Sequence, residues 1–209
     1  KVDTVKLTGN TKVYAKWSQD GAPADSVAGF TDVTSRDWYA AAVEYVTGKG
    51  MMNGTSTAKF APEDKLTRGM IAQVLYNLEG KPAASGAAFT DVASTAWYAD
   101  AVNWAASKSI VSGYGDNTFG PEDPITREQM AAILYRYAQY KAYDVTAKGE
   151  LAGFTDRSAV SGYAAEALEW AVGAKLMNGK GNGVLDPAGN ATRAEVAQIL
   201  MNFSENVAK

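Results

Sequence analysis

A threonine–arginine pair occurs three times in the sequence, each time directly before an apolar pattern with helical spacing. The pairs are Thr67–Arg68, Thr126–Arg127 and Thr192–Arg193. Gln129 and Glu195 follow the second and third threonine by three residues, which is the spacing of a capping box. A helix N-terminus is therefore predicted at each threonine.

The arginines of these pairs fall in the first helical turn, where the helix dipole disfavours a cation by roughly 0.3 to 1 kcal/mol. Helix stability alone therefore does not explain them. A guanidinium beside free amide N–H groups could bind a carboxylate or phosphate. Alternatively, each arginine could form a salt bridge with an acid of the preceding loop, such as Asp64 or Asp123, or with an aspartate of a neighbouring copy. The residues themselves leave both explanations open.

Aromatic, acidic and glycine residues recur around the same pairs. Trp38 and Trp97 could present a flat apolar face to a ligand ring or pack in the core. An aspartate follows each Phe-Thr, where it could cap a turn or accept hydrogen bonds from ligand hydroxyls. The candidate ligand-binding set is Arg68, Arg127, Arg193, Asp32, Asp91, Asp156, Trp38, Trp97, Gly54, Gly113 and Gly179.

These residues belong to three copies of one unit. The first two copies align without a gap at an offset of 89 − 30 = 59, from Phe30 and Phe89 onward. The third copy starts at Phe154, an offset of 65 from copy two, and matches through Tyr163 at that offset. One inserted residue then moves the offset to 66 before Trp170. Each copy is thus predicted to be one supersecondary unit whose apolar face needs its neighbours.

Each copy contains two amphipathic patterns separated by a Gly-, Asn- and Asp-rich loop. Trp104, Trp170 and Tyr45 share one position in the first helix and are predicted to be core residues. The fold class predicted is all-α: three helix-loop-helix repeats, preceded by a short β-hairpin in residues 1–20. The hairpin is expected because apolar residues alternate around a Thr8-Gly9-Asn10 turn.

Composition shifts predict the boundaries. Residues 1–20 form the end of a neighbouring β domain, and 21–29 a linker. The repeats are 30–80, 89–140 and 154–205, with linkers 81–88 and 141–153 and a tail 206–209. These three segments are called repeats 1, 2 and 3.

Composition excludes several functions. The chain has no histidine and no cysteine, which removes His-dependent triads, thiol nucleophiles and the usual zinc ligands. A net charge of −3 argues against nucleic acid, and no apolar run is long enough for membrane insertion. No metal or cofactor is predicted, and no pair of carboxylates stands out as a glycosidase site.

The three copies resemble the surface-layer homology (SLH) family of bacterial cell-wall anchors. The resemblance rests on F-T-D-V, W-Y-A, the G-x-x-x-x-F-x-P-E-D loop and the I-T-R-E-Q-M or A-T-R-A-E-V helix start. Residues 11–17, T-K-V-Y-A-K-W, resemble the end of a small β-grasp repeat of bacterial surface proteins.

The SLH resemblance implies a pseudo-threefold bundle with grooves between adjacent copies. It also implies that the grooves bind a secondary cell-wall polysaccharide, typically one ending in pyruvylated N-acetylmannosamine, and it favours ligand binding by the arginines. The expected protein is an extracellular, noncatalytic anchor at the bacterial surface. The alternative is a structural module whose grooves pack against other surface-layer subunits.

The third copy is expected to contribute the weakest ligand contacts. Copies one and two have Trp38 and Trp97 at the first helix and Asp64 and Asp123 before the second. At the offsets given above, copy three has Gly162 and Gly189 instead.

Overall fold

The computed structural model describes residues 25–86 and 88–209. Six α-helices carry most of the regular structure in these residues, two in each repeat. They are α1 (Ala40–Gly48), α2 (Arg68–Leu78), α3 (Ala99–Ser107), α4 (Arg127–Tyr140), α5 (Ala165–Gly173) and α6 (Arg193–Asn206). Short 3-10 turns occur at Leu151–Gly153, Arg157–Ala159 and Gly162–Ala164.

The predicted all-α class is confirmed, with a two-stranded antiparallel sheet near the N-terminal end of the described residues. It pairs β1 (Ser26–Val27) with β2 (Phe30–Thr34), so β1 lies in the segment predicted as a linker. The hairpin predicted for residues 1–20 lies outside the described residues.

The helices pack between repeats and close a ring. The second helix of each repeat packs on the first helix of the next, so that α2 contacts α3, α4 contacts α5 and α6 contacts α1. Each amphipathic stripe therefore finds its partner in a neighbouring repeat, which is how solenoid-like units bury their apolar faces.

Three backbone hydrogen bonds join the repeats just before the second helices. The amide of Leu66 donates to the carbonyl of Ala191 (3.1 Å), Ala191 donates to Ile125 (3.0 Å), and Ile125 donates to Leu66 (2.8 Å). All three residues are fully buried. This cycle supports the pseudo-threefold arrangement that the SLH resemblance implied.

The second helices begin as predicted. Thr67, Thr126 and Thr192 are N-caps in extended conformation, and each side chain accepts a hydrogen bond from the backbone amide three residues later. The capping boxes with Gln129 and Glu195 are both formed. The sequence signal was strong because a capping box is a local interaction.

The first helices begin slightly later than the aromatic pairs suggested. Trp38 lies in a turn and Tyr39 is the residue before α1, and Trp97 and Tyr98 stand in the same places before α3. In the helices themselves, Trp104 and Trp170 are core residues, 1 % exposed, while Tyr45 is half-buried.

The third repeat requires a correction to the sequence alignment. Helix α5 begins at Ala165, and α3 begins at Ala99, an offset of 165 − 99 = 66. The inserted residue therefore precedes Tyr163, among the 3-10 turns, and does not follow it. Tyr163 occupies the position of Trp97, and Ala164 that of Tyr98. The expectation that Gly162 replaces the tryptophan is wrong.

Candidate functional site

Each helix-start arginine reaches into the loop of the next repeat. The Nε of Arg68 donates to the carbonyl of Phe119 (2.8 Å) and its Nη2 to that of Ser112 (2.9 Å). Arg127 makes the same two bonds to Leu185 (2.9 Å) and Asn178 (2.6 Å) in repeat 3. Arg193 closes the cycle on repeat 1. Its guanidinium donates to the carbonyls of Phe60 (2.8 Å) and Asn53 (2.6 Å).

The helix N-termini do not offer free amide groups, which corrects one expectation. The amides of Arg68 and Gly69 donate to the carbonyls of Asp123 and Pro121, and the third amide of the helix donates to Thr67. The other two helices repeat this pattern. Only the guanidinium can therefore receive an anion here. It keeps three of its five N–H donors, because no further hydrogen bond from it occurs within residues 25–86 and 88–209.

The salt bridges considered as the alternative are also not formed. Among the described residues, no carboxylate lies within ion-pairing distance of these three arginines. Burial lowers the pKa of each guanidinium from its usual value, and nearby carboxylates oppose that shift. The arginines hold main-chain carbonyls, a role that the sequence did not indicate.

The recurrent aspartates hold the other side of the same peptide groups. Asp91 accepts hydrogen bonds from the amides of Phe119 (2.8 Å) and Gly120 (2.7 Å). The peptide group between these two residues thus has its N–H on the Asp91 carboxylate and its carbonyl on Arg68. Asp156 with Arg127 and Asp32 with Arg193 form equivalent links. We call each set the Asp–peptide–Arg link.

The aspartates thus stabilise the loops by accepting hydrogen bonds from their backbone amides, which agrees with a turn or capping role. Backbone hydrogen bonds, led by that of Leu185, lower the pKa of Asp156. Direct contact of Asp32, Asp91 or Asp156 with a sugar stays a prediction.

The glycines of the candidate set lie where the loop passes under the phenylalanine of Phe-Thr-Asp. A Cβ atom on Gly179 would lie 2.6 Å from the carbonyl oxygen of Val184 and 2.8 Å from the ring of Phe154. Gly54 and Gly113 have the same kind of neighbours. Close packing therefore requires glycine at all three positions, and each of them also lines a cavity.

Three equivalent cavities open where the repeats meet, and we name each after its arginine. The Arg68 groove is about 270 Å³, the Arg127 groove about 470 Å³ and the Arg193 groove about 260 Å³. Each groove takes its arginine from one repeat and its loop and second helix from the next. The third repeat supplies an aromatic ring. No single repeat could form such a site.

The aromatic rings at the rims are exposed. Trp38 in the Arg127 groove is 64 % exposed, Trp97 in the Arg193 groove 59 %, and Tyr163 in the Arg68 groove 56 %. Exposure of this size excludes the core-packing role considered for Trp38 and Trp97, because a core residue would be covered. Stacking of these rings on a sugar stays a prediction. The structure thus brings together the arginines, the glycines and the two tryptophans of the candidate set.

The carboxylate thought to be missing from repeat 3 is supplied from another position. In repeat 2 the side chain of Asp123 fills the space beside Gly120, and in repeat 3 that of Asp186 fills the space beside Gly189. Gly120 and Asp186 occupy equivalent positions, at an offset of 66. Aspartate and glycine have therefore exchanged positions between repeats 2 and 3. In both repeats the carboxylate still lies close to the helix-start arginine, Arg68 or Arg127. Both reasons for expecting weak contacts from repeat 3 are therefore wrong.

Sequence reasoning missed the residues that make the grooves differ. One second-helix position holds Asn77, Arg136 and Asn202 in the Arg193, Arg68 and Arg127 grooves. One loop position holds Thr55, Tyr114 and Lys180 in the same order. The signal was present in the repeat alignment as positions where the copies disagree.

Comparison with known proteins agrees with this architecture. The family model for the S-layer homology domain matches residues 29–69, 88–131 and 153–197, one match in each repeat. The chain belongs to the S-layer homology domain family. Its repeats form a noncatalytic surface-anchoring module of an extracellular protein at the bacterial cell surface.

The relatives are much longer proteins. The chain is 33 % identical over 181 residues to an amylopullulanase of Thermoanaerobacterium thermosulfurigenes, covering 84 % of this chain and 9 % of that protein. It is 30 % identical over 191 residues to the surface-layer 125 kDa protein of Lysinibacillus sphaericus, covering 88 % and 16 %. It is 31 % identical over 178 residues to the exoglucanase XynX of Acetivibrio thermocellus, covering 84 % and 16 %. The chain therefore spans less than a fifth of these relatives. No helix within the described residues is both long and apolar enough to cross a membrane.

Proposed function

We propose that the three grooves bind an acidic secondary cell-wall polysaccharide through a sugar that carries a pyruvate ketal, and that this binding anchors the parent protein. The observation that carries the proposal is the pairing, in every groove, of a guanidinium with unused donors and an exposed aromatic ring. A carboxylate suits the planar guanidinium, and the apolar face of a sugar ring suits the aromatic side chain.

The net charge of −3 supports recognition by local groups and not by a broad field. The arginine side chain is fixed before the ligand arrives, since two of its donors already hold main-chain carbonyls. Such preorganisation reduces the entropy lost on binding.

The relatives favour anchoring over lattice assembly as the shared role. The matching region occurs in proteins named as glycan-degrading enzymes and in proteins named as surface-layer proteins. Attachment to the wall is a function that both groups can use. Packing against other surface-layer subunits remains the second candidate, because exposed tryptophans also suit a protein partner.

Sedimentation with purified wall polysaccharide tests the proposal. The chain should co-sediment with native polysaccharide and lose most of that binding after mild acid removes the ketals. Size-exclusion chromatography of the chain alone should show a monomer, and no reducing ends should be released. Self-association without polysaccharide binding would support the assembly function instead.

A further inference from the structure

In the described part of the chain, a second arginine lines the Arg68 groove but neither of the other two grooves. Arg136 lies on α4, at the position that Asn77 and Asn202 occupy elsewhere. Ser112 contacts both arginines: its carbonyl accepts from Arg68 (2.9 Å), and its hydroxyl accepts from Arg136 (3.4 Å). One residue thus lies within hydrogen-bonding distance of both cations.

Among the residues that the structure describes, no carboxylate lines this groove to neutralise the pair. Two acids close to the groove accept hydrogen bonds from other groups. Asp123 accepts from the Tyr114 hydroxyl (2.9 Å), and Glu128 accepts from Ser161 and Tyr163. Glu166 lines a neighbouring cavity together with Arg136, and its carboxylate accepts from the Tyr135 hydroxyl (2.9 Å).

The second cation of the Arg127 groove is in a different state. Lys180 forms ion pairs with Asp186 and Glu195, each at 3.2 Å, and Glu195 itself lines the groove. Within residues 25–86 and 88–209, Arg193 is the one cation that lines the Arg193 groove. The three grooves therefore share an architecture but differ in the positive charge that they present to a ligand.

A second cavity adjoins the Arg68 groove. It measures about 230 Å³ and shares Ala132, Arg136 and Tyr163 with the groove, and its other lining residues include Gln139 and Glu166. Arg136 thus lines two adjoining cavities, of about 270 and 230 Å³.

We propose that Arg136 is a specificity-determining residue, and that the Arg68 groove holds the acid group of the saccharide between Arg68 and Arg136. This groove is then the tightest of the three sites for an acidic sugar. The proposal rests on the proposed function, because it concerns the same ligand class.

The residues at the rims allow the sites to be distinguished by spectroscopy. The Arg193 and Arg127 grooves carry Trp97 and Trp38, whereas the Arg68 groove carries Tyr163 and Tyr114. The probe is the methyl glycoside of pyruvylated N-acetylmannosamine, titrated into the whole chain by calorimetry and by tryptophan fluorescence. The tightest event should release heat with little change in tryptophan fluorescence.

Matched substitutions then test Arg136. Arg136→Asn gives the Arg68 groove the residue of the other two and should weaken the tightest site about ten-fold, the loss expected for one charge-assisted hydrogen bond. Arg136→Lys should fall between Asn and the parent, because it keeps the charge and loses the fork. Asn77→Arg should strengthen binding in the Arg193 groove, which is detected through the fluorescence of Trp97. Asn77→Ala serves as the control for a change at the same position.

The outcomes separate this proposal from the proposed function. If the parent chain does not bind the glycoside, or binds its neutral counterpart equally well, the proposed function fails. If the glycoside binds but Arg136→Asn leaves the tightest site unchanged, the role of Arg136 is refuted while the proposed function stands. The same conclusion follows if the tightest event is the one that changes tryptophan fluorescence.

Discussion

The Arg68 and Arg193 grooves are alike in their buried parts and different at their rims. In both, the Asp–peptide–Arg link is complete, and the guanidinium lies over a phenylalanine ring, 4.5 Å from Phe119 and 4.7 Å from Phe60. At the rim, the Arg68 groove has Arg136 and Tyr163 at the positions where the Arg193 groove has Asn77 and Trp97. The buried Asp–peptide–Arg link is therefore the same in both grooves, because a change there would disturb packing. The exposed rim residues differ, and they can change which ligand a groove prefers.

Removing repeat 3 should have the largest effect, because all three grooves, including the Arg68 and Arg193 grooves, take part of their lining from it. Deletion of residues 154–209 removes Arg193 from one groove and Tyr163 from the other, and it uncovers the faces of α1 and α4 that α6 and α5 cover. We expect the truncated chain to lose its cooperative thermal transition and to aggregate. Calorimetry measures the transition, and light scattering measures the aggregation. A monomer that melts as cooperatively as the whole chain would show that the repeats are independent.

Substitution of the buried arginine should have the next largest effect. Arg68→Ala leaves the carbonyls of Phe119 and Ser112 without a donor and should lower the free energy of unfolding by about 2–4 kcal/mol. Arg136→Ala, at the rim of the same groove, should change it by less than about 0.5 kcal/mol. Urea unfolding measures both. If both variants lost the same free energy of unfolding, the Asp–peptide–Arg link would be no more important for stability than the rim.

The glycine of the Arg68 groove gives a smaller effect with a closely matched control. A Cβ atom on Gly113 would collide with the carbonyl of Thr118 and lie 2.6 Å from the ring of Phe89, while one on Gly162 would meet open space. Gly113→Ala should lower the free energy of unfolding by about 1–3 kcal/mol. Gly162→Ala should be nearly neutral. If both variants unfold at the parent's urea midpoint, the loop does not pack as described.

The smallest effect concerns pH and the rim tyrosine. Partial desolvation of the Tyr163 hydroxyl, together with the charge and hydrogen bond of Glu128 (3.2 Å), raises the pKa of Tyr163 to about 12, although most of its ring is exposed. A tyrosine in an unfolded chain ionises near pH 10. The folded state keeps the proton in this interval and the unfolded state loses it. The stabilisation is therefore complete below pH 10 and is lost as the pH rises to about 12.

Comparison with Tyr163→Phe isolates this contribution. The free energy of unfolding of the variant should fall less steeply than that of the parent between pH 10 and 12. If urea unfolding gave the same pH dependence of the free energy of unfolding for both chains, the pKa of Tyr163 would not be raised by folding.

Local interactions explain what the sequence revealed. The helix starts at Thr126 and Thr192 were predictable because a capping box spans three residues. The partners of the arginines were not, because Arg193 binds carbonyls more than 130 positions away in the chain. The Tyr163 error arose from placing one insertion by residue identity. The offset of 66 that aligns Trp104 with Trp170 also aligns Trp97 with Tyr163, and the helical pattern favours it.

Crystals of the whole chain soaked with the pyruvylated N-acetylmannosamine glycoside test the central claim most directly, namely that each binding site is assembled from three repeats. We expect the ketal carboxylate within hydrogen-bonding distance of Arg68, Arg127 or Arg193, and the sugar ring against Tyr163, Trp38 or Trp97 of the same groove. A ligand bound within a single repeat, away from these arginines, would contradict the account.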